Sequence, residues 1–322
     1  MPNKLELQLQ HIAPTRTIAW LRWTDDQGRV GWGEIAPLPG RSQETLQKAM
    51  EQIKTEKRYL LSCDLHNMLL EDLMEWRPWF PSVSFALESA FLQIRDPWMD
   101  AFQVATSALL MGSKQEIEEQ IPFIQGASVV KIKLKNLKLS EAKGFLETLA
   151  SRYTLRIDTN LAWSKSDILS LAQTIPKDRI EYFEDPFFLE DLSHSFPYSI
   201  AIDASCTECH VQTPVLLEPF LAKGLRCIVY KPSVHGGIFR GRKLFAWAKE
   251  RGVRVILGSS FESPVGITCI ADLARRIGNQ EVLGLGTLPY LFSFAKRDLR
   301  YCPLLVYIPG YILVQVKSAN HQ

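Results

Sequence analysis

A run of strand-forming residues that ends in a charged side chain recurs five times between residues 128 and 231, and it constrains the fold more than any other feature. The last run, Cys227–Tyr230, leads into Lys231; Pro232 then interrupts the pattern, and Gly236 and Gly237 open a helical stretch. Short apolar runs bounded by such breakers are typical of buried strands. We therefore predict Lys231 at the carboxyl end of a parallel strand, the end that carries the chemistry in an α/β barrel.

Four earlier runs have the same form. They are Ser128–Lys133, Leu155–Asp158, Ile180–Glu184 and Ile200–Asp203, and their charged groups are Lys131, Lys133, Asp158, Glu184 and Asp203. Strand alternation puts Lys131 and Lys133 on the same side of the first run. The intervals from Lys133 through the acids to Lys231 are 25, 26, 19 and 28 residues, which suits one strand and one crossover helix per interval. We expect the charged groups to converge at one face of a barrel.

The chain is long enough, at 322 residues with 46% hydrophobic content, for one large barrel and a smaller domain. Residues 1–100 follow a pattern of strands and then helices, residues 101–287 alternate strand and helix, and residues 288–322 are predicted to return to the first unit. The predicted fold class is α/β: a modified TIM (β/α) barrel with an α+β N-terminal capping domain completed by the C-terminal tail. Eight barrel strands are expected, near Val104–Leu109, Ser128–Leu134, Thr154–Asp158, Ile180–Glu184, Ile200–Asp203, Cys227–Lys231, Val253–Leu257 and Val282–Leu285.

Charge and hydropathy argue against several classes of function. The 37 basic and 35 acidic residues leave a net charge of +2, which does not favour a nucleic-acid partner. No window approaches the ~18 uninterrupted apolar residues of a membrane span, and the N-terminus lacks the apolar core of a signal peptide. We expect a cytoplasmic protein with no membrane or nucleic-acid partner, and no pattern specifies an oligomeric partner.

The segment from Cys206 to His210 matches the C-x-x-C-H pattern of covalent haem attachment. Haem attachment of that kind needs an exported chain, and no second C-x-x-C or nearby H-x-x-H supplies further zinc ligands. We interpret Cys206 and Cys209 as two thiols in a loop or a first helical turn. The scattered positions of the six cysteines are those of a reduced, cytosolic protein.

Three carboxylates on adjacent strand ends would concentrate negative charge that requires a cation between them. Oxygen-only ligands from Asp158, Glu184 and Asp203 favour a hard ion, so we predict Mg²⁺, with Mn²⁺ as the alternative. For each acid taken alone, a salt bridge to a neighbouring lysine is the structural alternative to a metal site. Their shared placement at strand ends favours a joint metal site.

The lysines are candidates for proton transfer. A lysine accepts protons only where its ammonium form is disfavoured, and both Lys131 and a divalent cation would act in that direction on Lys133. Lys231 would face Lys133 across the barrel, with a small carboxylate substrate chelated to the metal between them. The α-proton of that substrate would become acidic because the ion stabilises the resulting enediolate.

These groups, in this order, resemble the enolase superfamily and its muconate-lactonizing subgroup. Members of the subgroup carry K-x-K on the second barrel strand, acids on the third to fifth, and a lysine on the sixth. Several segments are further similar to the o-succinylbenzoate synthase family: Gly31–Thr45, Pro81–Ala86, Arg156–Trp163, Lys231–Ser233 and Gly258–Ser263. The first of them resembles the mobile capping loop of that family and is the most specific.

The resemblance implies a metal-dependent lyase that dehydrates 2-succinyl-6-hydroxy-2,4-cyclohexadiene-1-carboxylate to 2-succinylbenzoate in menaquinone biosynthesis. It implies that Lys133 and Lys231 are catalytic, that Lys131 supports them, and that three acids bind the metal. The implied substrate-binding residues are Arg156, Ser259, Ser260, Pro39, Gly40 and Ser42. Two other hypotheses stay open: a racemase or epimerase of N-acylamino acids or dipeptides, and a non-catalytic binding protein on a decayed enzyme scaffold.

Two positions depart from the family pattern. Ala204 stands where the family has glutamate after the fifth strand, and Gly286 stands where it has aspartate after the eighth. The first change removes a carboxylate that would support the neighbouring metal ligand, which predicts weaker metal binding. Both changes motivate the binding-protein hypothesis.

Overall fold

A computed structural model of the protein describes residues 2–97, 101–188, 191, 196–291, 304–308 and 310–315. Its N-terminal part pairs a three-stranded antiparallel sheet, in the order β1-β2-β3, with helices. The elements are β1 (Lys4–Ala13), β2 (Arg16–Thr24), β3 (Val30–Ile35), α1 (Leu46–Ser62), α2 (Leu70–Glu75) and α3 (Pro81–Arg95). The predicted hairpin turn joins β2 to β3, and Gly28 within it adopts a φ of 85°, which glycine tolerates without steric cost.

Helix α3 forms the centre of this capping unit, and strand β3 lies directly on its backbone. A Cβ atom at Gly33 would lie 2.1 Å from the carbonyl oxygen of Ala86, so only glycine permits this approach. The other side of α3 contacts the barrel, where Ser84 Oγ donates to the carbonyl of Gly236 at 2.9 Å. This packing directs the chain that leaves β3 toward one end of the barrel.

The barrel is built on a seven-stranded parallel sheet in the order β5-β6-β7-β8-β9-β10-β11. From Phe102 onward the strands are β4 (Phe102–Ala105), β5 (Ala108–Leu110), β6 (Val129–Lys133), β7 (Thr154–Asp158), β8 (Ile180–Glu184), β9 (Ile200–Ile202), β10 (Leu225–Tyr230) and β11 (Arg254–Leu257). The helices are α4 (Lys114–Gln120), α5 (Leu139–Ala150), α6 (Lys165–Ala172), α7 (Glu208–Gln212), α8 (Glu218–Leu221), α9 (Pro232–His235), α10 (Gly237–Glu250) and α11 (Pro264–Arg276). Short 3₁₀ turns lie at Ile121–Ile124, Lys177–Arg179, Pro214–Leu217 and Leu288–Tyr290.

The barrel closes through a segment that is less regular than the predicted eighth strand. Leu283 and Gly284 form isolated parallel bridges to Thr106 and Gly258. Hydrogen bonds reach both edges of the sheet, from Ser107 N to Leu283 O at 2.9 Å and from Ser259 N to Gly284 O at 3.0 Å. The segment therefore completes the ring of strands.

The predicted first barrel strand is divided in two. Its first part, β4, leaves the barrel and pairs with the C-terminal tail, whose strands are β12 (Leu304–Ile308) and β13 (Tyr311–Gln315). The resulting antiparallel sheet has the order β12-β13-β4 and links the tail to the capping domain. The remaining residues of the predicted tail, 292–303, 309 and 316–322, lie outside the described residues.

The predicted fold class, a modified barrel with a capping domain completed by the tail, is confirmed. No helix in the described part of the chain is long and apolar enough to cross a membrane.

Candidate active site

Strand register brings the charged residues of neighbouring strands to one level. Lys133 on β6 pairs with Asp158 on β7, which pairs with Glu184 on β8. The alternate residues Ile132 and Ile157 are fully buried and belong to the hydrophobic core. Because successive strand residues point to opposite faces, the charged side chains point into the barrel.

The three lysines and three acids form two groups of ion pairs. Lys131 Nζ lies 3.1 Å from Asp158 Oδ2 and 2.5 Å from Glu184 Oε1. Lys133 Nζ lies 2.9 Å from the same Asp158 oxygen. Across the barrel, Lys231 Nζ lies 2.5 Å from Asp203 Oδ2. Both groups of ion pairs lie at the carboxyl ends of the strands, where the sequence pattern predicts these six side chains.

A cavity opens over these ion pairs. Its walls come from the inward-facing strand residues and from the loops that follow β11 and the closing segment. The lining residues include Leu38, Ser107, Leu109, Lys131, Lys133, Arg156, Tyr182, Glu184, Lys231, Ser259, Ser260, Phe261, Gly286 and Thr287.

Burial and neighbouring charge oppose each other at this site. Burial disfavours the ammonium of Lys131, but Asp158, Glu184 and Asp203 outweigh it and raise the pKa of Lys131 above its usual range. Burial likewise works against the charged form of Asp203, yet Lys231, Lys131 and Arg41 hold the pKa of Asp203 well below its usual value. The charged partners thus keep both groups ionised.

Glu184 is the carboxyl whose charge is least compensated. Burial raises the pKa of Glu184 to about 8, although Lys131 acts in the opposite direction. Glu184 Oε2 is buried without a hydrogen-bond partner. Asp158 Oδ2 also has no hydrogen bond, but it forms ion pairs with the ammonium groups of Lys131 and Lys133. A further cation at Glu184 would favour its ionised form. The donor set, three buried carboxylates with one free oxygen, fits a hard divalent cation.

Lys131 lies between Asp158 and Glu184 and keeps their oxygens apart. Within the described ranges, one set of at least three potential ligand residues has all its ligand atoms within 4.8 Å of one another. It lies away from the strand ends and consists of Asp25, Asp26 and His66. Asp25 and Asp26 of that set lie in the β2–β3 turn and His66 follows helix α1, and Arg29 already pairs with Asp25 at 2.7 Å. The strand-end carboxylates would have to draw together to share one ion.

Arg156 lies beneath Asp158 on the inner face of β7. The residue is 1% exposed, and its guanidinium donates from Nε and Nη2 to Glu181 at 2.7 and 3.1 Å. Its Nη1 has no hydrogen-bond partner. The structure therefore brings this predicted substrate-binding residue to the cavity wall, but Glu181 holds most of its hydrogen-bonding capacity.

The predicted serines lie on the loop after β11. Ser259 Oγ contacts Thr287 Oγ1 at 2.8 Å and donates to Gly284 O at 3.1 Å. Ser260 Oγ is buried without a hydrogen-bond partner, and its backbone N donates to Glu262 Oε2 at 2.5 Å. Both serines line the cavity, and Ser260 keeps a free hydroxyl.

The capping loop, residues 37–42, is a compact turn in which Ser42 N donates to Leu38 O at 2.8 Å and Leu38 N donates to Ser42 Oγ at 2.9 Å. Gly40 adopts a φ of 77° at its tip. Of this loop, Leu38 lines the cavity. The structure does not place Pro39, Gly40 or Ser42, which sequence reasoning assigned to substrate binding, on the cavity wall.

Two polar residues at the site were absent from the predicted set. Arg41 Nη2 reaches across from the capping loop and donates to Asp203 O at 2.5 Å. Asp185 is buried, and its carboxylate accepts the backbone N–H groups of Asp203, Ala204 and Ser205 at 3.2, 2.5 and 3.3 Å. The acid directly after Glu184 was a visible signal for Asp185, whereas nothing in the local pattern signalled the reach of Arg41.

Asp185 bears on the first departure from the family pattern, Ala204 in place of glutamate. The loop around Asp203 does have a supporting carboxylate, because Asp185 holds its backbone from the preceding strand end. At the other departure, a Cβ on Gly286 would lie 2.8 Å from Ser107 O and 3.0 Å from Leu109 Cβ. Close packing at this wall therefore accounts for glycine at position 286.

His235 fixes the main chain of Lys231. The backbone N of Lys231 donates to His235 Nδ1 at 3.1 Å, and the imidazole packs against the ring of Tyr230 with centroids 4.8 Å apart. Burial lowers the pKa of His235 to about 4, so the neutral ring serves as the acceptor. The sequence pattern assigned no role to His235.

Two family models match the chain. Residues 7–94 match the model described as "MenC, N-terminal domain", and residues 118–300 match that described as "Enolase C-terminal domain-like". Together they span the capping unit and most of the barrel.

Known relatives and solved structures agree with these matches. An o-succinylbenzoate synthase of Vibrio cholerae serotype O1 (strain M66-2) is 31% identical over 281 residues, which are 82% of this chain and 79% of that protein. MenC from Desulfotalea psychrophila LSv54 has a TM-score of 0.72 at 19% identity, over 96% of this chain and 98% of that one. A dipeptide epimerase from Methylococcus capsulatus, complexed with Mg ion, has a TM-score of 0.79 at 19% identity, over 98% and 97%.

The two solved structures show the shared fold, while the sequence relative and the family models show descent. The family suggested by the sequence segments is thereby confirmed. The chain belongs to the o-succinylbenzoate synthase family of the enolase superfamily.

Proposed function

We propose that the protein is a metal-dependent lyase that dehydrates 2-succinyl-6-hydroxy-2,4-cyclohexadiene-1-carboxylate to 2-succinylbenzoate, a step of menaquinone biosynthesis. One observation carries the proposal. Lys133 and Lys231, at the ends of strands β6 and β10, meet a buried trio of carboxylates in a chain of this family. The chain is proposed to divide into a capping domain (1–100), a catalytic barrel (101–287) and a returning tail (288–322).

Asp158, Glu184 and Asp203 are proposed to hold Mg²⁺, with Mn²⁺ as an alternative. The free Oε2 of Glu184 and the all-oxygen donor set support this assignment. When bound, the cation would neutralise the substrate carboxylate and stabilise the negative charge that develops on it.

The different surroundings of the lysines support different roles. Lys131 contacts two carboxylates and its side chain is 13% exposed, so it is held as an ammonium that supports the site. Lys133 contacts one carboxylate and is 28% exposed, while Lys231 is 14% exposed. Lys133 is therefore the best placed of the three to exchange a proton with a molecule in the cavity.

Lys133 Nζ would remove the proton α to the substrate carboxylate, and the ring C–O bond would then break. Lys133 would return the same proton to the departing hydroxyl, so that water leaves and the ring becomes aromatic. A single acid–base group suffices when both events occur on one face of the ring. Lys231, paired with Asp203, would stabilise the developing negative charge through its own positive charge.

Substrate positioning is proposed for the predicted residues of the cavity and of the loop above it. Ser260 has a free hydroxyl, and Arg156 has one guanidinium nitrogen without a partner. Ser259, Pro39, Gly40 and Ser42 complete the proposed set. The capping loop would act by closing over the bound carboxylate and excluding water.

Racemisation of an N-acylamino acid or a dipeptide is the second candidate. It is favoured by the placement of lysines on strands β6 and β10, four positions apart in the sheet order, because two opposed bases can serve the two faces of one carbon. The reaction would require proton exchange by both Lys133 and Lys231. A binding protein without catalysis is the third candidate.

The experiment is an assay of the purified protein on each substrate with Mg²⁺, with a chelator, and with Mg²⁺ restored. Loss of the cyclohexadiene absorbance in Mg²⁺, arrest by the chelator and recovery on re-addition are expected. Racemisation without dehydration would favour the second candidate. No turnover of any substrate by the Mg²⁺-loaded protein would favour the third.

A further inference from the structure

The capping loop touches a proposed metal ligand directly. Arg41 Nη2 donates to the backbone oxygen of Asp203 at 2.5 Å and lies 3.2 Å from its Oδ1. The side chain of Arg41 is 23% exposed and that of Asp203 is 8% exposed. A contact in which both partners are largely shielded from water is screened less than a surface ion pair.

This contact holds the tip of the capping loop against the barrel. A second arginine fixes the start of the loop. Arg16, buried between the two units, donates to the backbone oxygens of Ala36 and Pro37 and also to that of Ser260. At the tip, Pro39 and Gly40 are exposed. Arg41 therefore joins the exposed tip of the loop to the end of strand β9.

Both carboxylate oxygens of Asp203 face a positive group. Oδ1 faces Arg41, and Oδ2 lies 2.5 Å from Lys231 Nζ. Any divalent cation that shares Asp203 must therefore compete with positive charge on both sides. Lys231 belongs to the proposed reaction machinery, whereas Arg41 belongs to the loop.

We propose that Arg41 is a positioning residue that couples the capping loop to the metal ligand Asp203. While the guanidinium holds Asp203, the loop tip is tied to the barrel and Asp203 is less available to a divalent cation. A divalent cation at Asp203 weakens the tie and frees the loop to close over a substrate. The inference rests on the proposed metal site, and it assigns to that site a link with the loop.

The first test is hydrogen exchange at the amides of residues 38–42 in chelator-treated protein. Arg41→Gln should speed this exchange by on the order of two- to fivefold, the range expected from loss of one partly shielded ion pair. In the wild type, Mg²⁺ should produce a similar increase, and in Arg41→Gln it should add nothing. Arg41→Lys should give an intermediate rate because it keeps the charge but loses the planar donors.

The second test is calorimetric titration with Mg²⁺ alone. Arg41→Gln should bind Mg²⁺ about two- to fivefold more tightly, because a competing positive charge has left Asp203. Ser42→Ala removes the hydroxyl that accepts from Leu38 N within the loop turn, so it should speed exchange while the competing charge of Arg41 is kept. Arg22→Gln is the control because it removes a positive charge from an ion pair with Glu6 on the capping sheet. It should change neither the exchange of the loop amides nor the affinity for Mg²⁺.

Unchanged loop exchange in Arg41→Gln would overturn the proposal, as would weaker Mg²⁺ binding in that variant. Absence of Mg²⁺ binding in every variant, with the exchange effect intact, would refute the metal site and the competition while the loop tie stands. The two failures are thus distinguishable without an activity measurement.

Discussion

Lys131, Lys133 and Lys231 have the same chemistry but different neighbours, and the neighbours decide their proposed roles. Lys231 has Asp203 as its close partner and His235 beneath its main chain. It is thus held in place as a cation. A group of this kind contributes through charge, which an arginine can replace, rather than through proton exchange, which an arginine cannot perform.

Lys231→Arg should therefore retain measurable dehydration, because the positive charge near the developing enediolate is preserved if the longer side chain fits. Any racemase activity should vanish in the same variant, since one of the two opposed bases is lost. Initial rates on both substrates provide the measurement. Complete loss of dehydration in a folded Lys231→Arg protein would indicate that Lys231 must exchange a proton.

Asp158→Asn should lower Mg²⁺ affinity and dehydration activity together, because one charged oxygen ligand becomes neutral. The change also deprives Lys131 and Lys133 of the negative charge that both contact. Titration calorimetry with Mg²⁺ alone measures the first effect. Wild-type affinity in the folded variant would remove Asp158 from the ligand set.

Strand periodicity was sufficient to predict where the three lysines and three acids of the candidate site lie, because each run ends in a charged residue and side chains alternate along a strand. It could not predict Arg41, whose partner Asp203 is 162 positions away. Loop residues have no periodic signal, and their contacts depend on how the two units dock. The same reason explains why Pro39, Gly40 and Ser42 are near the site yet off the cavity wall.

The elements differ in how far local sequence determines them. Six of the predicted barrel strands coincide with β6 to β11, where short apolar runs end in polar or charged residues or at glycine or proline. The predicted eighth strand is reduced to bridges at Leu283 and Gly284. Barrel closure brings backbone from distant segments into contact there, and the small residues that permit it weaken the strand pattern.

The capping loop is the element with the clearest functional prediction. Trypsin can cleave after Arg41, and cleavage should slow when product and Mg²⁺ are bound together, because the loop then closes over the ligand. The time course of the two fragments, with and without the ligands, measures this. Equal cleavage rates in both conditions would contradict a lid role.

At the scale of the whole molecule, buried carboxyl groups join the capping unit to the barrel. Glu88 of helix α3 is 2% exposed and accepts the backbone N–H groups of Ile238 and Phe239 at 2.8 and 3.1 Å. Burial raises the pKa of Glu88 from 4.5 to about 8, although both hydrogen bonds act in the opposite direction. The folded protein therefore keeps a proton that the unfolded chain loses near pH 4.5.

This difference makes stability depend on pH with a definite sign. The contribution of Glu88 is fully present below pH 4.5 and is lost as pH rises toward 8, at about 1.4 kcal/mol per pH unit for one proton. Glu88→Gln mimics the protonated group and should flatten that part of the profile. The free energy of unfolding in urea at pH 5 and pH 8 measures this dependence, with a substitution at the exposed Glu147, Glu147→Gln, as the control. An equal change in the free energy of unfolding between the two pH values in wild type and Glu88→Gln would contradict the prediction.

The capping unit, barrel and tail together form the proposed lyase, and its central claim is proton abstraction by Lys133. The direct test is the dehydration rate of Lys133→Ala, in protein shown to be folded and to bind Mg²⁺. The rate should fall by more than the ~10²–10⁴-fold typical of losing a general acid–base group, since the site also loses a neighbouring charge. Dehydration by Lys133→Ala at the wild-type rate would contradict the mechanism.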